Sequence, residues 1–409
     1  MEFGFTEEQE KLRKEVHDFF MTELPEDYEF GGGGSSEEVQ TFWKGMRSKA
    51  IEKGYYVPGW PKEYNGSGMS SMEQGILDEE MGRAGVSFPD SLGLHLVGPT
   101  LILIGTEEQK KRFVPPIARG ETMCFEVFTE PNAGSDEANQ QTRAVEDGDN
   151  FILNGQKCWI SGSYKPNWLF TLARTAETVP KHRGISLFLI PADLPGISFR
   201  PLPTMGGGMQ NEVFFDNVKV SNEYLLGEKN RGFYHAMQVF EFERAMTGAA
   251  AGGKRMLEGL VEYCKDTKRN GKPLIEDPDI RDMLAQRAIE NELQRLAGWY
   301  TTWHFSQRHR LGPAPYNVSN YFAKKFAASR AKAMVDILGL YGQLKPFSEY
   351  APFEGSLERQ WRSSRSTHGG GTFEVMKIVL AQRGLGLPRI PGKIMAEIGQ
   401  AVRETAGTR

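Results

Sequence analysis

The period at which apolar residues recur changes twice along this chain, and that switch limits its fold more than any other feature. Up to about residue 120 the pattern is helical: Leu12, Val16, Phe19 and Phe20 share one face, and Thr6 with Gln9 and Ser35 with Glu38 have capping-box spacing. From about residue 123 the pattern is β. "FILNGQKCWIS" reads as two β-rich runs about an Asn-Gly pair, a hairpin signal, and "WLFTLAR", "GISLFLI" and "NEVFFDNVKV" follow at intervals suited to a small antiparallel sheet or barrel. From about Gly232 the helical period returns through "HAMQVFEFERAMTGAAAGGKRMLEGLVEYC" and three further long helices, and the small residues of 248–253 are suited to close approach by a neighbouring helix. The expectation is an α+β chain: a helical domain over 1–122, a central antiparallel β-barrel over 123–231 and a C-terminal four-helix bundle over 232–409. "GGGGSS" at 31–36 reads as a flexible link.

Composition removes several function classes. The 49 basic and 53 acidic residues are interspersed, with no basic block to neutralise a phosphate backbone, so nucleic acid is not an expected partner. Cys124, Cys158 and Cys264 are odd in number and widely spaced, which suggests neither a disulfide framework nor a zinc site and fits a reducing compartment. The N-terminus has no apolar signal core, and no run approaches the roughly 18 apolar residues of a membrane span, so a cytoplasmic location is expected. The seven histidines, among them His95, His235 and His368, lack metal-ligand spacing.

Chemistry concentrates in a few stretches. "STHGGGTFEV", from Ser366 on, sets a histidine and three glycines at the mouth of a helix, which suits an oxyanion hole, a phosphate cradle, or a ligand lying against bare peptide. The esterase version needs a G-x-S-x-G nucleophile elbow, which the chain does not contain; G-x-G-x-x-G of a dinucleotide site is likewise missing. "FTEPNAGSD" by itself reads as a polar loop. About two dozen residues later comes "LNGQKCWISG", and beyond it "EVFFDNVKV", "FER" and "GTFEV…LGLP".

This set, in this order, resembles the acyl-CoA dehydrogenase family of flavoproteins over essentially the whole chain. The resemblance implies FAD held between domains and across a subunit contact, an acyl-CoA substrate, an electron-transferring flavoprotein as oxidant, and usually a homotetramer, with a heterotetramer as the variant. Isoalloxazine is a flat π-system with a polar edge, so its site needs an aromatic wall and hydrogen-bonding groups at the rim. By the resemblance Trp159 is that wall, Ser161 reaches flavin N5, and Thr129 with the backbone around Phe128 reaches the pyrimidine edge. The ordinary reading of Trp159 is a half-buried strand aromatic. The resemblance also implies Arg269, Gly339, Thr372 and Glu374 as further cofactor contacts, and Ser135, Glu241, Arg244 and Asp90 as substrate contacts.

In many relatives the position two before the threonine of "GT" holds the glutamate that removes the substrate's α-proton; here it is Gly370, which cannot. Either the chain is inactive or the base comes from elsewhere. Glu243 in "EFER" matches a branch of the family, acting on branched, long or bulky acyl groups, whose base sits on the first bundle helix. The ordinary reading of a Glu-Arg pair is a solvated helix face. Asp90 in "FPDSLGL" is a second candidate base by analogy with members acting on cyclic acyl groups. The peptide N–H of Gly370 remains able to hold the thioester carbonyl. Two departures stand out: Thr267 replaces an arginine that binds FAD pyrophosphate, leaving Lys268 or Arg269 to supply charge, and Asp336 and Leu340 replace a glutamine and a glycine. The expected reaction is α,β-dehydrogenation of a branched, aromatic or alicyclic acyl-CoA to the trans-2-enoyl-CoA. A partner subunit, or an oxidase or monooxygenase on the same fold, is the rival.

Overall fold

The computed structural model describes residues 4–25, 37–86, 88, 92–162, 165–178, 180–243, 248–307, 314–345, 348–364 and 368–389, with only the backbone of 37–40, 239–243, 248–249 and 314–316. Five helices come first: α1 (Glu7–Glu23), α2 (Glu37–Glu52), α3 (Ser71–Ala84), α4 (Gly98–Ile104) and α5 (Glu107–Ala118). The capping box at the start of α1 forms as expected, Thr6 Oγ1 accepting from the Gln9 N–H while Gln9 Oε1 accepts from that of Thr6. Val16 and Phe20 of the predicted α1 face are buried. Ser35 and the "GGGGSS" stretch lie outside the described residues.

Eight strands then form one sheet: β1 (Cys124–Val127), β2 (Arg143–Asp147), β3 (Asn150–Ser161), β4 (Trp168–Arg174), β5 (Ile185–Pro191), β6 (Ile197–Pro203), β7 (Met209–Ser221) and β8 (Leu225–Leu226). The strand order is β6-β7-β3-β2-β4-β5-β8, with β1 paired to β4. Two expectations need correction. The sheet is open, so it is not a closed barrel, and it is mixed, because β1 and β2 each pair with β4 in parallel. Alternation explains how it packs on both faces. Phe170 and Leu172 of β4 with Leu187 and Leu189 of β5 join the core of the N-terminal helices. Leu169, Ala173, Phe188 and Ile190 between them fill the other face.

The Asn-Gly hairpin is also corrected. Asn154-Gly155 lies inside β3, which runs unbroken through it. Glycine is needed there because a Cβ would stand 2.4 Å from Thr142 Oγ1 on the neighbouring chain segment. The turn into β3 is made earlier by Gly148-Asp149, with Gly148 at φ 60° and Asp147 paired to Asn150. A two-residue Asn-Gly hairpin does exist, at Asn270-Gly271 (φ 53° and 81°), joining Lys268–Arg269 to Lys272–Pro273.

The C-terminal part holds α6 (Gly232–Glu243), α7 (Gly248–Asp266), α8 (Pro278–Ser306), α9 (Ala314–Leu338), α10 (Ser356–Ser363) and α11 (Phe373–Val379). Gly253 of α7 lets side chains of two neighbours in, since a Cβ there would meet Arg330 of α9 and Asn291 of α8 within 2.6 Å. The parts are tied together: Arg255 of α7 donates to the Ala84 carbonyl at 2.7 Å, and Trp299 Nε1 of α8 to Glu79 of α3 at 3.2 Å. Among the described residues no helix is long and apolar enough to cross a membrane.

Candidate functional site

Strand β3 decides which side chains the site can use. Phe151, Leu153 and Lys157 point into the protein, so strict alternation would also bury Trp159 and Ser161. A bulge prevents this. The register against β7 slips between Lys157 and Ile160, Trp159 takes φ 59°, and the alternation reverses. Cys158 and Ile160 are buried, while Trp159 is 58% exposed and Ser161 projects from the same face. A left-handed backbone at a bulky residue is a strained conformation that persists only where its surroundings impose it. The chain presents the exposed part of an indole beside a hydroxyl. That arrangement fits a flat π-ligand with a polar rim.

The loop of Phe128 to Glu130 lies along this edge. Cys158 N–H donates to the Thr129 carbonyl at 2.9 Å, which sets Thr129 next to the bulge. The Phe128 ring is buried against Phe170, and its carbonyl accepts from Lys157 and Gln140, so at this residue the carbonyl and the ring both face inward. Ser135 lies further along the same loop, exposed, beside Asp136 paired with Lys181 at 2.8 Å.

What holds the loop is a group missed at the level of motifs. Lys157 is fully buried, and its Nζ donates to the Phe128 carbonyl (3.0 Å), Glu130 Oε1 (2.8 Å), the Leu172 carbonyl (2.7 Å) and Gln140 Oε1. Burial pushes the Lys157 pKa down, with the Glu130 charge opposing. Burial also works against the Glu130 carboxylate, but Lys157 and the N–H groups of Gln141 and Thr142 bring it below the ordinary range. The signal was available: a lysine at the same inward parity as Phe151 and Leu153 needs a buried partner.

Glu137 borders this network. Burial pushes its carboxyl up to about 7, with Lys157 opposing and the Glu130 and Asp136 carboxylates adding to the rise. A group whose pKa is raised by folding binds more protons in the folded state, so its contribution is whole below its unfolded value of 4.5 and is lost as pH climbs through 7. Glu137→Gln is expected to change stability little at pH 4.5 and to add about 3 kcal/mol at pH 8, at about 1.36 kcal/mol per pKa unit over the rise from 4.5 to about 7. Thermal unfolding of both proteins at the two pH values checks it; equal gains at both would refute the linkage.

The glycine run before α11 adopts a left-handed turn, Gly370 at φ 63° and Gly371 at φ 94°. Its carbonyls are gathered by α9: Lys324 Nζ donates to Gly369 and, at 2.6 Å, to Gly371, and Asn320 Nδ2 donates to Gly370 at 3.3 Å. Because a trans peptide points its N–H opposite to its C=O, the N–H groups of Gly370, Gly371 and Thr372 face away from α9. A Cβ at 370 would meet only Asn320, at 3.8 Å, so the space in front of this backbone is open. Thr372 caps α11, its Oγ1 accepting from the Val375 N–H at 3.2 Å, and Glu374 is exposed in the first turn.

The first bundle helix starts against the sheet. A Cβ on Gly232 would lie 2.4 Å from the Leu187 backbone, so glycine lets α6 land on β5. Glu243 ends that helix about 17 Å further on at 1.5 Å per residue. The side chains of Glu241 and Glu243 lie outside the described residues, as do Arg244 and Asp90. Arg269 is brought to Gly339: its Nη2 donates to the Ile337 carbonyl at 3.0 Å, two residues before Gly339 turns at φ 61°. Beside them Thr267, Lys268, Tyr263, Tyr341 and Tyr350 line an open cavity of about 440 Å³.

Comparison with known proteins adds to this geometry. Residues 6–121, 124–218 and 230–385 match the N-terminal, middle and C-terminal domains of acyl-CoA dehydrogenase respectively. Acyl-CoA dehydrogenase FadE26 of Mycobacterium tuberculosis is 32% identical over 398 residues, 95% of this chain and 99% of the relative. Among solved structures, the Tcur3481-Tcur3483 steroid ACAD superposes with a TM-score of 0.84 at 33% identity, covering 95% of this chain and all of that one. The ChsE4-ChsE5 complex from Mycobacterium tuberculosis gives 0.83 at 31%, with the same coverage.

Proposed function

Since this chain belongs to the acyl-CoA dehydrogenase family, oxidoreductases that depend on FAD and act on acyl-CoA, we propose that it oxidises a bulky alicyclic or branched acyl-CoA, with steroid-like acyl groups included, to the trans-2-enoyl-CoA. The observation that carries this reading is the open, left-handed peptide at Gly370, where many relatives place the catalytic carboxylate. One solved neighbour at 33% identity, a steroid ACAD, supports the bulky substrate class. The three domain limits of 1–122, 123–231 and 232–409 belong to the same proposal, as does an electron-transferring flavoprotein as oxidant.

The residues that would hold FAD are Trp159 as the wall, Ser161 and Thr129 at the rim, and Arg269, Gly339, Thr372 and Glu374 toward the rest of the cofactor. FAD, when bound, supplies the acceptor for the two electrons that leave the acyl chain. The Gly370 N–H holds the thioester carbonyl, and that donor stabilises the enolate-like charge developing on oxygen, an effect of roughly 3 kcal/mol for one well-placed group. Glu243, at the end of α6, takes the α-proton. Asp90 is the alternative base. Ser135, Glu241 and Arg244 contact the substrate.

A second reading concerns assembly. Thr267 stands where the family has a pyrophosphate-binding arginine, and Arg269 already donates to Ile337, which leaves Lys268 on the open cavity and favours a partner chain that supplies the missing cation. The solved neighbours named for two proteins each are consistent with such a heteromer.

Anaerobic bleaching of the flavin by a panel of acyl-CoAs tests the substrate class. Cyclohexanecarbonyl-CoA and a CoA thioester of a steroid side-chain acid should bleach at least tenfold faster than butyryl-CoA or octanoyl-CoA. Faster bleaching by the straight chains would end the bulky-substrate reading.

A further inference from the structure

One turn among the N-terminal helices is wound wider than the rest. Gly93–Val97 forms a π-turn at the head of α4, with the Gly98 N–H donating to the Gly93 carbonyl five residues back. Single wide turns of this kind are rare and recur at functional sites. This one is held by side chains: Trp60 Nε1 donates to the Leu94 carbonyl at 3.2 Å, the Trp60 ring fills the place of a Cβ on Gly98, and Thr100 Oγ1 donates to the Leu96 carbonyl at 2.7 Å. Leu94, Leu96 and Val97 are buried, at 5%, 1% and 0% exposure, whereas His95 among them is exposed. An exposed ring set between buried neighbours faces either bulk water or an internal opening. The imidazole itself separates the two, because burial pulls its pKa below the ordinary 6.5 with no charged neighbour contributing. His95 therefore faces a crevice inside the protein as a neutral ring, and among the described residues it makes no hydrogen bond or ion pair.

The walls of that crevice locate it. The π-turn packs against α6, which ends at Glu243, and against β1, which leads into Phe128 and Thr129. Leu94, Leu96 and Val97 share one core with Phe128 and with Ala236 of α6. An acyl chain whose α,β bond lies between the flavin and a carboxylate of α6 has to run through the space between these elements. We propose that His95 lines the acyl pocket and selects acyl groups that carry a hydroxyl or keto oxygen beyond the β-carbon. This assignment rests on the acyl-CoA reading above. A neutral imidazole offers one N–H donor and one acceptor nitrogen. A hydrocarbon acyl group displaces water from both and returns nothing, whereas an oxygen function replaces one of the lost hydrogen bonds. A site built to hydrogen-bond a substrate oxygen discriminates against the analogue lacking it, because the protein group is then left unpaired. The remaining residues of the turn are glycine, leucine and valine, and supply no such preference.

Anaerobic flavin reduction by matched pairs of acyl-CoAs provides the test. With the FAD-loaded wild type, the rate constant at limiting acyl-CoA should be roughly tenfold or more higher for 3- or 4-hydroxycyclohexanecarbonyl-CoA than for cyclohexanecarbonyl-CoA, and ω-hydroxyoctanoyl-CoA should exceed octanoyl-CoA in the same way. His95→Phe keeps a ring and removes both nitrogens, so it should bring each ratio to about one while flavin content and thermal unfolding stay those of the wild type. His95→Ala should do the same through a smaller side chain, which separates loss of the hydrogen bond from blockage of the pocket. A wild type without preference in either pair, or a preference that survives in either variant, would overturn the proposal. The two readings fail differently. Reduction by the straight-chain pair alone would end the bulky-substrate reading and leave the ratio to be read on that pair, whereas a flavin that none of these acyl-CoAs reduces would end both.

Discussion

Glu243→Gln is expected to purify yellow and to bind acyl-CoA with unchanged affinity, yet its flavin should bleach 10²–10⁴ times more slowly than wild type, the range removed with a positioned general base. The amide keeps the shape of the side chain and loses only the capacity to accept a proton, so kcat and kcat/KM should fall together and KM should stay near its original value. Asp90→Asn, prepared in parallel, should bleach within about threefold of wild type. Rapid-mixing absorbance at the flavin band under anaerobic conditions gives both rates, and binding is measured separately with a non-reactive thioether analogue. Wild-type bleaching by the glutamine variant would remove Glu243 from the mechanism. A slow Asp90→Asn with a fast Glu243→Gln would transfer the role to Asp90.

Lys157→Met should produce the largest loss of stability among the substitutions considered. The methionine fills a similar volume but leaves Glu130, only 3% exposed, as a buried charge without its cation. Removing one partner of such a pair costs about 3–5 kcal/mol. Because the same ammonium holds the Phe128 carbonyl, the loop bearing Thr129 should loosen too, and the purified protein should lose most of its bound flavin. Adding Glu130→Gln removes the stranded charge and should recover part of the stability, but not the flavin, since the Phe128 tether stays broken. Thermal unfolding with flavin content per chain measures both outcomes. A double variant that regains flavin fully would show that Lys157 acts only as a counter-charge.

The local sequence was informative wherever a feature depends on residues close together. Thr6 and Gln9 fix the start of α1 because a capping box is completed within four residues. The change of period placed helices, sheet and helices in the observed order. Asn-Gly was a sound rule applied at the wrong pair: Asn270-Gly271 makes the hairpin, whereas Asn154-Gly155 is held extended by pairing with β2 on one side and β7 on the other. Barrel closure failed for a related reason, since it depends on whether distant edge strands meet. The family motifs pointed at Trp159 and Ser161, but alternation alone would have buried both.

The order of chemical residues along the chain therefore settled the family, the cofactor and the candidates for each role, because those follow from side-chain types at fixed spacing. Tertiary contacts decided which candidates can be reached. The bulge between Lys157 and Ile160 turns one strand edge outward, an ammonium buried beneath it pins the neighbouring loop, and Lys324 and Asn320 gather three glycine carbonyls so that their peptides face the other way. Each of these joins groups many residues apart, and their energies depend on burial, which no single stretch of sequence contains.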